Sequence, residues 1–336
     1  AGDEFTASGL TVVALELLNA GECRALYCDE LQRMPDGTLG AAFRPSFNLD
    51  LLLSLPSVMA RNWLYRRDVF VESGGLNAQY PQAMEFELLT RLVEAGGMAG
   101  LGHVDEPLLI TDAHVPVEIA DEQAALLAHL NRRGYADAQL VTSAPGTYRI
   151  RYGHAGQPLV SILIPTKDQL AMVQRCVETL LEQTRYSNYE VLIIDNASET
   201  PEAQAWLAGI EALQEQKIRV LRYPHPFNFS AMNNFAALEA QGDYLVLLNN
   251  DTAIIREEWL DEMLNHAQRP EVGIVGAKLL YPDGRIQHAG VVLGLNGPAD
   301  HPFIGEAIDA PGHMRRLQVD QNYSAVSSTC LMIRKS

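Results

Sequence analysis

The sequence predicts an α/β protein with a mostly parallel, Rossmann-like sheet flanked by helices, and a second, partial α/β region at the N-terminus. Two observations carry this prediction. From residue 158 onward, β-branched and aliphatic runs alternate with segments of helical periodicity in the order βαβαβαβ, which is typical of a doubly wound parallel sheet. Residues 245–248 are all large aliphatics, as expected of a strand that is buried on both faces.

The composition narrows the class of protein. With 336 residues and 47% hydrophobic content, the chain can bury a full core. Its net charge of -17 argues against a nucleic-acid partner held through phosphate contacts. No signal peptide and no apolar run near the length of a membrane span is present. We therefore expect a cytoplasmic protein whose four cysteines are free thiols, with the inner face of the cytoplasmic membrane as the alternative location.

The N-terminal region mixes helices, strands and turns. Pro35-Asp36-Gly37 is predicted to be a turn because proline presets φ and glycine accepts a positive φ. Helices are predicted over residues 8–18, 82–94 and 118–133, and strands over residues 24–28, 58–65 and 106–110. Residues 134–158 are richer in Gly, Pro, Ser and Thr, so the boundary between the two regions is expected near residues 153–158.

The C-terminal region is more regular. Strands are predicted over residues 160–164, 189–194, 218–223 and 244–248, and helices over residues 172–183, 202–214 and 228–240. Neither a GxGxxG fingerprint nor a phosphate-binding P-loop follows any of these strands. His288 and His301 follow the fourth strand, and two roles are open for them: contact with a site at the end of that strand, or, as expected, ordinary core or surface positions.

Polar residues follow three of these strands. Thr166 and Asp168 come after the first strand, Asp195 and Asn196 after the second, and Asn249-Asn250-Asp251 after the fourth. Ligands of parallel sheets bind at the carboxyl ends of the strands. A carboxylate such as Asp251 can hold a divalent cation, which in turn can hold a diphosphate. The sequence therefore predicts a site at this edge of the sheet.

Similar segments recur in the two halves of the chain. Gly-Asp-Glu-Phe-Thr around Asp3 matches Asn-Asn-Asp-Thr around Asp251, and Pro35-Asp36-Gly37 matches Pro282-Asp283-Gly284. Both matches have an offset of about 248 residues, which indicates an internal repeat. We interpret residues 1–115 as the back half of one domain, residues 116–157 as a helical linker, and residues 158–336 as the front part of a second domain.

The C-terminal region resembles the front half of an inverting family 2 glycosyltransferase with a GT-A fold. The likeness rests on Val160-Ser161-Ile162-Leu163-Ile164-Pro165-Thr166, the Asp195-Asn196-Ala197-Ser198 strand end, Asn233-Asn234, and Leu247-Leu248-Asn249-Asn250-Asp251. Residues 1–112 resemble the back half of such a domain, and this likeness rests on Tyr27-Cys28-Asp29-Glu30, Phe43-Arg44-Pro45, Gly74-Gly75 and Met84-Glu85-Phe86-Glu87-Leu88-Leu89. Bacterial proteins with tandem family 2 domains that build surface polysaccharides are the most similar kind.

The resemblance implies a role for each matching position. Asp195 and Asn196 would contact the base or ribose of a UDP-type donor, Asp251 would bind Mg²⁺ or Mn²⁺, and Glu85 would be the catalytic base. Further nucleotide-sugar contacts would come from Pro165, Thr166, Asp168, Asn233, Asn234, Asn249 and Asn250. This chain departs from the family's Asp-x-Asp motif, because Asn249-Asn250-Asp251 has one carboxylate fewer. Metal affinity should therefore be weaker.

The implied reaction is metal-assisted transfer of a sugar, with inversion, from a nucleoside-diphosphate sugar to a saccharide hydroxyl. Membrane-associated assembly proteins are the implied partners. Three readings stay open: a donor-binding half that is incomplete for catalysis, two fragments that combine so that Glu85 serves the Asp251 site, and a non-catalytic nucleotide-sugar or saccharide binding or assembly module. A sugar-phosphate nucleotidyltransferase ranks last, because Pro165-Thr166-Lys167-Asp168 contains no glycine-rich loop.

Overall fold

The computed structural model describes residues 2–113, 116–215 and 217–335. The chain divides into two compact units. The first unit consists of Ala1–Gly153 and Asp309–Asn322, and the second of His154–Ile308 and Tyr323–Ser336. The predicted domain limit at residue 115 lies outside the described residues.

The first unit contains a five-stranded mixed sheet in the order β1-β5-β2-β3, with β4 also paired to β2. β2 and β5 are parallel, and the other pairs are antiparallel. The strands are β1 (Glu4–Phe5), β2 (Ala25–Arg33), β3 (Leu39–Ala42), β4 (Leu64–Tyr65) and β5 (Leu101–Asp112). The helices up to the end of β5 are α1 (Gly9–Asn19), α2 (Leu49–Ser54), α3 (Pro56–Met59), α4 (Arg67–Glu72) and α5 (Met84–Gly96).

The region after β5 completes the first unit. Helix α6 (Ala120–Arg132) is followed by a hairpin of β6 (Gln139–Val141) and β7 (Arg149–Arg151). Residues of α6 and of this hairpin, such as Leu126 and Ile150, belong to the same buried cluster as residues of α2 and α5. Residues 309–322 add a 3-10 helix (His313–Gln318), and Met314 packs against that cluster.

The prediction of a strand over residues 58–65 is wrong. Pro56 occupies the first turn of α3, where its missing N–H costs nothing. Asn62 then adopts a left-handed conformation with φ of 58°, which interrupts an extended chain. Only Leu64–Tyr65 pair with β2. The apolar character of this run therefore reflects burial in a helix and a turn, because periodicity alone does not separate short buried helices from strands.

The second unit contains a six-stranded sheet in the order β10-β9-β8-β11-β17-β12. The strands β10, β9, β8 and β11 are parallel, and β17 is antiparallel to both of its neighbours. The strands are β8 (Val160–Thr166), β9 (Tyr189–Asp195), β10 (Ile218–Arg222), β11 (Tyr244–Leu248), β12 (Ile274–Gly276) and β17 (Cys330–Arg334). Two small hairpins are formed by β13 (Leu279–Leu280) with β14 (Ile286–His288), and by β15 (Val292–Leu293) with β16 (Ala299–Asp300).

Helices cover both faces of this sheet. Side chains of α7 (Leu170–Gln183), α8 (Pro201–Leu213) and α10 (Trp259–Ala267) join one buried cluster, and those of α9 (Phe229–Glu239) join another. Every residue of β9 is buried, which explains why its sequence shows no polar alternation. The predicted α/β architecture is confirmed, both here and in the α/β region at the N-terminus.

Two turns in the different units share one hydrogen-bond pattern. In the first, Met34 N donates to Thr38 O (2.8 Å) and Gly37 N donates to Met34 O (2.9 Å). In the second, Tyr281 N donates to Arg285 O (2.8 Å) and Gly284 N donates to Tyr281 O (2.9 Å). Gly37 and Gly284 in these turns have φ of 83° and 84°, a conformation that favours glycine.

Among the described helices, none has both the length and the apolar character needed to cross a bilayer.

Candidate functional site

Three strand ends of the second unit meet around Thr166. Thr166 and Asp195 are register partners in the β8–β9 ladder, and Asn196 N donates to Thr166 O (2.9 Å). From the other side, Asn250 Nδ2 donates to Thr166 Oγ1 (3.0 Å). The structure thus brings the polar tips of β8, β9 and β11 to one edge of the sheet.

Asp195 is buried and already has protein partners. One carboxylate oxygen accepts hydrogen bonds from Ser198 N (3.0 Å) and Ser198 Oγ, and the other accepts one from Arg222 Nη1 (2.9 Å). Arg222 and Asp195 are register partners on adjacent parallel strands. Sequence reasoning missed Arg222, although a basic residue at the end of the third strand, beside an acidic residue at the end of the second, was a readable signal.

Asn196 is also buried and turned toward the backbone. Its Nδ2 donates to Tyr223 O (3.2 Å) and to His225 O (2.7 Å). These bonds fix the loop after β10 against the end of β9. Asp195 and Asn196 therefore shape the edge of the site, and a ligand reaching them meets side chains that are already oriented.

Asp168 connects two elements at the same edge. Its Oδ1 accepts hydrogen bonds from Glu199 N, Thr200 N and Thr200 Oγ1. The bonds from Thr200 hold the pKa of Asp168 below its usual value. Asp168 and Ala197 both have φ of 55°, and such strained conformations of non-glycine residues cluster at functional sites. The geometry gives Asp168 the role of joining β8 to the start of α8.

Helix α9 contributes one unpaired buried acceptor. Asn228 begins the helix by accepting a hydrogen bond from Ala231 N (2.9 Å). Asn233, 6% exposed, donates through Nδ2 to Phe229 O (2.8 Å), and its Oδ1 has no hydrogen-bond partner within the described part of the chain. Asn234 is exposed and Pro165 half-buried. Leaving a buried acceptor unpaired costs about 1–3 kcal/mol, so a ligand hydroxyl or water is an expected partner for Asn233.

The oxygen atoms after β11 fit a hard cation. Asp251 is exposed, whereas Asn249 and Asn250 are half-buried. Because Nδ2 of Asn250 points to Thr166, its Oδ1 is the atom left for a ligand. The described residues contain no group of three His, Cys, Asp or Glu able to hold a metal. A cation here would complete its shell with diphosphate oxygens and water, as Mg²⁺ commonly does. The residues present therefore fit Mg²⁺ or Mn²⁺.

Glu85 lies in the first unit, in the first turn of α5. Its two carboxylate oxygens accept hydrogen bonds from Asn62 N (3.2 Å) and Trp63 N (2.8 Å). Burial raises the pKa of Glu85 above its usual value. A carboxylate with a raised pKa is suited to proton transfer, although its two backbone bonds also fix the left-handed turn at Asn62.

A buried ion pair that sequence reasoning missed supports this turn. Glu30 and Arg44 form a salt bridge of 2.9 Å with side chains only 2% and 1% exposed. Asn62 Nδ2 donates to Glu30 Oε1 (3.1 Å), and Thr111 Oγ1 donates to Glu30 Oε2 (2.9 Å). Burial acts to raise the pKa of Glu30, but Arg44 outweighs it together with Arg61 and the hydrogen bonds, and the net shift is downward. Both residues lie in segments that resemble the family, but nothing in the sequence indicated that Glu30 and Arg44 pair with each other.

Among the comparisons with known proteins, the family profile matches the part of the chain that contains most of the second unit. The profile of Glycosyl transferase family 2 matches residues 161–336. The chain is 38% identical to the O-antigen biosynthesis protein RfbC of Myxococcus xanthus, over all of this chain and 27% of that protein. It is 35% identical to the uncharacterized protein y4gI of Sinorhizobium fredii, over 99% of this chain and 38% of that protein. The chain thus spans well under half the length of these relatives.

The solved structures are less similar to this chain in sequence than these relatives are. A crystal structure of GalNAc-T7 with UDP, GalNAc and Mn²⁺ matches 53% of this chain and 35% of its own, at 14% identity and a TM-score of 0.43. The mannosyltransferase PcManGT of Pyrobaculum calidifontis, in complex with GDP-Man and Mn²⁺, matches 38% of this chain and 37% of its own, at 18% identity and a TM-score of 0.34. The family profile covers more than half of the sequence, and the chain therefore belongs to glycosyl transferase family 2.

Proposed function

We propose that the second unit binds a nucleoside-diphosphate sugar, with a UDP-type donor preferred, and takes part in metal-assisted transfer of its sugar to a saccharide hydroxyl with inversion. The observation that carries this proposal is the meeting of Thr166, Asn196 and Asn250 at the carboxyl edge of the sheet, with the exposed carboxylate of Asp251 beyond them. Parallel sheets bind ligands at this edge.

Each group has a distinct part in the proposed site. Asp251, with the amide oxygens of Asn249 and Asn250, would hold Mg²⁺ or Mn²⁺. When bound, the cation neutralises the charge that develops on the departing nucleoside diphosphate. Thr166 and Pro165 line the nucleotide, and Asn233 Oδ1 accepts a hydrogen bond from the donor. Asp195 and Asn196, both fixed by internal bonds, define where the base and ribose lie.

A carboxylate equivalent to Glu85 would remove the proton from the acceptor hydroxyl. Residues 1–115 are proposed to be the acceptor-side half of a first GT-A-like domain, residues 116–157 a linker, and residues 158–336 the donor-binding part of a second. The matching hydrogen bonds of the turns at Gly37 and Gly284 support this repeat.

We propose that the reaction contributes to the building of surface polysaccharide at the membrane. The relative RfbC is described as an O-antigen biosynthesis protein, which supports a role in building surface polysaccharide. The work would take place at the cytoplasmic side of the membrane, with a saccharide acceptor and membrane-associated assembly partners. The net charge of -17 supports partners other than nucleic acid.

Release of nucleoside diphosphate tests the proposal. The chain is incubated with UDP-, GDP- and dTDP-sugars in Mn²⁺ or in EDTA, and free nucleoside diphosphate is measured. We expect Mn²⁺-dependent release from one donor class, slow without a saccharide acceptor because water replaces it. Binding without release over many hours would favour a nucleotide-sugar binding or assembly module. Release that is equal in EDTA would contradict the metal-assisted reaction.

A further inference from the structure

The second unit contains a buried pair of histidines outside the proposed donor site. His288 ends strand β14 and is 2% exposed. Its Nδ1 lies 2.7 Å from Nδ1 of His301, and the two rings meet edge to face with centroids 4.8 Å apart. A separation of 2.7 Å between two ring nitrogens requires that one of them carries the proton and the other accepts it.

The other nitrogen of His288 decides which ring donates. Ser327 N donates to Nε2 of His288 at 3.2 Å, so Nε2 has no proton. Burial, helped by His301, lowers the pKa of His288 to about 4, so its ring is neutral near pH 7. A neutral imidazole with an unprotonated Nε2 has its proton on Nδ1. His288 Nδ1 therefore donates to His301 Nδ1, and His301 fixes the tautomer of His288.

The bond to Ser327 leads to the candidate metal-binding segment. Ser327 Oγ donates to Thr329 Oγ1 (3.0 Å), and Thr329 N donates to Ser327 Oγ (3.2 Å). Thr329 O then accepts the hydrogen bond of Asn249 N (2.9 Å). This bond extends the β11–β17 ladder one step past Leu248, the last residue of β11. The chain of contacts from His301 to Asn249 is continuous and lies within one unit.

We propose that His288 is a positioning residue for the donor site: as the Nδ1–H tautomer set by His301, it holds residues 327–329 and, through Thr329, the Asn249–Asp251 segment in the geometry that binds a metal-bound nucleoside diphosphate. This inference rests on the proposed function. Residues that hydrogen-bond metal ligands without contacting the metal typically set its affinity, and their removal weakens metal binding by about 10–100-fold. Because two residues separate His288 from Asn249, we expect the lower end of that range.

Two measurements test the inference. Nitrogen-15 NMR of histidine-labelled protein reports the tautomer of each ring, and should show His288 protonated on Nδ1 only. Calorimetric titration of UDP in MnCl₂ should show about tenfold weaker binding for His288→Leu. His288→Gln can still accept the hydrogen bond from Ser327 N, and should bind within about threefold of the unmodified chain.

Two controls distinguish loss of the positioning role of His288 from a general loss of folded structure. His154→Leu removes another histidine of the same unit, whose Nε2 bonds the backbone of Asn265, and should leave UDP affinity unchanged. Melting temperatures identify variants that fail to fold. His288 protonated on Nε2, or unchanged affinity in a folded His288→Leu, would overturn the inference alone. Absence of Mn²⁺-dependent binding by the unmodified chain would overturn the proposed function as well.

Discussion

Adding a carboxylate at Asn249 should strengthen the candidate metal site. Asn249→Asp restores a second acidic residue two positions before Asp251, and Asn249 N is fixed by Thr329 O (2.9 Å). In water, two unit charges 4 Å apart interact by about 1 kcal/mol, so a divalent cation gains about 2 kcal/mol. That energy corresponds to about 30-fold in affinity, and screening at physiological salt reduces the expected gain to about tenfold.

The same change has the opposite effect without metal. The new carboxylate repels Asp251, so the metal-free Asn249→Asp variant should melt at a lower temperature than the unmodified chain and gain more on addition of Mn²⁺. Thermal melting and calorimetric titration of UDP with MnCl₂ measure both effects. Asn77→Asp is the matched control, because it adds the same charge in the first unit and keeps an oxygen for Gln79 N. Equal or weaker binding by a folded Asn249→Asp variant would refute the reasoning.

Three further outcomes are expected. Glu122 is buried, accepts a hydrogen bond from Tyr148 Oη (2.9 Å), and burial raises its pKa to about 7. The unmodified chain should therefore lose stability as the pH rises from about 4.5 to 7. In urea unfolding, the Glu122→Gln variant should be about 3 kcal/mol more stable than the unmodified chain at pH 8 and equally stable at pH 4.5. An equal difference in stability at both pH values would contradict this. Asn228→Ala should lose about 1 kcal/mol in the same assay while Asn228→Ser retains the cap, and equal losses would show that the cap is unimportant. Glu85→Gln should leave UDP affinity within about twofold, because the Glu85 carboxylate bonds the backbone of Asn62 and Trp63 within the first unit; markedly weaker UDP binding would contradict this.

The regular part of the fold could be predicted from the sequence because its signals are local. Strands β8, β9 and β11 are largely apolar runs that end in polar residues, and the helices between the strands have clear periodicity. The meeting of three strand ends followed from the rule for parallel sheets. The structure shows the contact itself, from Asn250 to Thr166.

The features that were not predicted from the sequence depend on contacts between residues that are distant in the chain. Asp195 and Asn196 were predicted from the sequence, but their internal partners Arg222 and Tyr223 were not. The false strand over residues 58–65 arose because the left-handed Asn62 is stabilised by Glu30 and Glu85, which lie 32 and 23 residues away. Local patterns contain no information about hydrogen bonds that reach Asn62 from such distant residues, so the left-handed turn required the structure.

The role of Asp251 is tested most directly by calorimetric titration of UDP, GDP and dTDP, with and without MnCl₂, into the chain and its Asp251→Ala variant. The exposed Asp283 provides a matched control, Asp283→Ala. We expect one nucleotide, with UDP preferred, to bind only with Mn²⁺, and Asp251→Ala to weaken that binding at least about tenfold while Asp283→Ala does not. Binding that is independent of Mn²⁺ or unchanged in Asp251→Ala, or no binding of any nucleotide, would contradict the assignment of the sheet edge as a metal-dependent donor site.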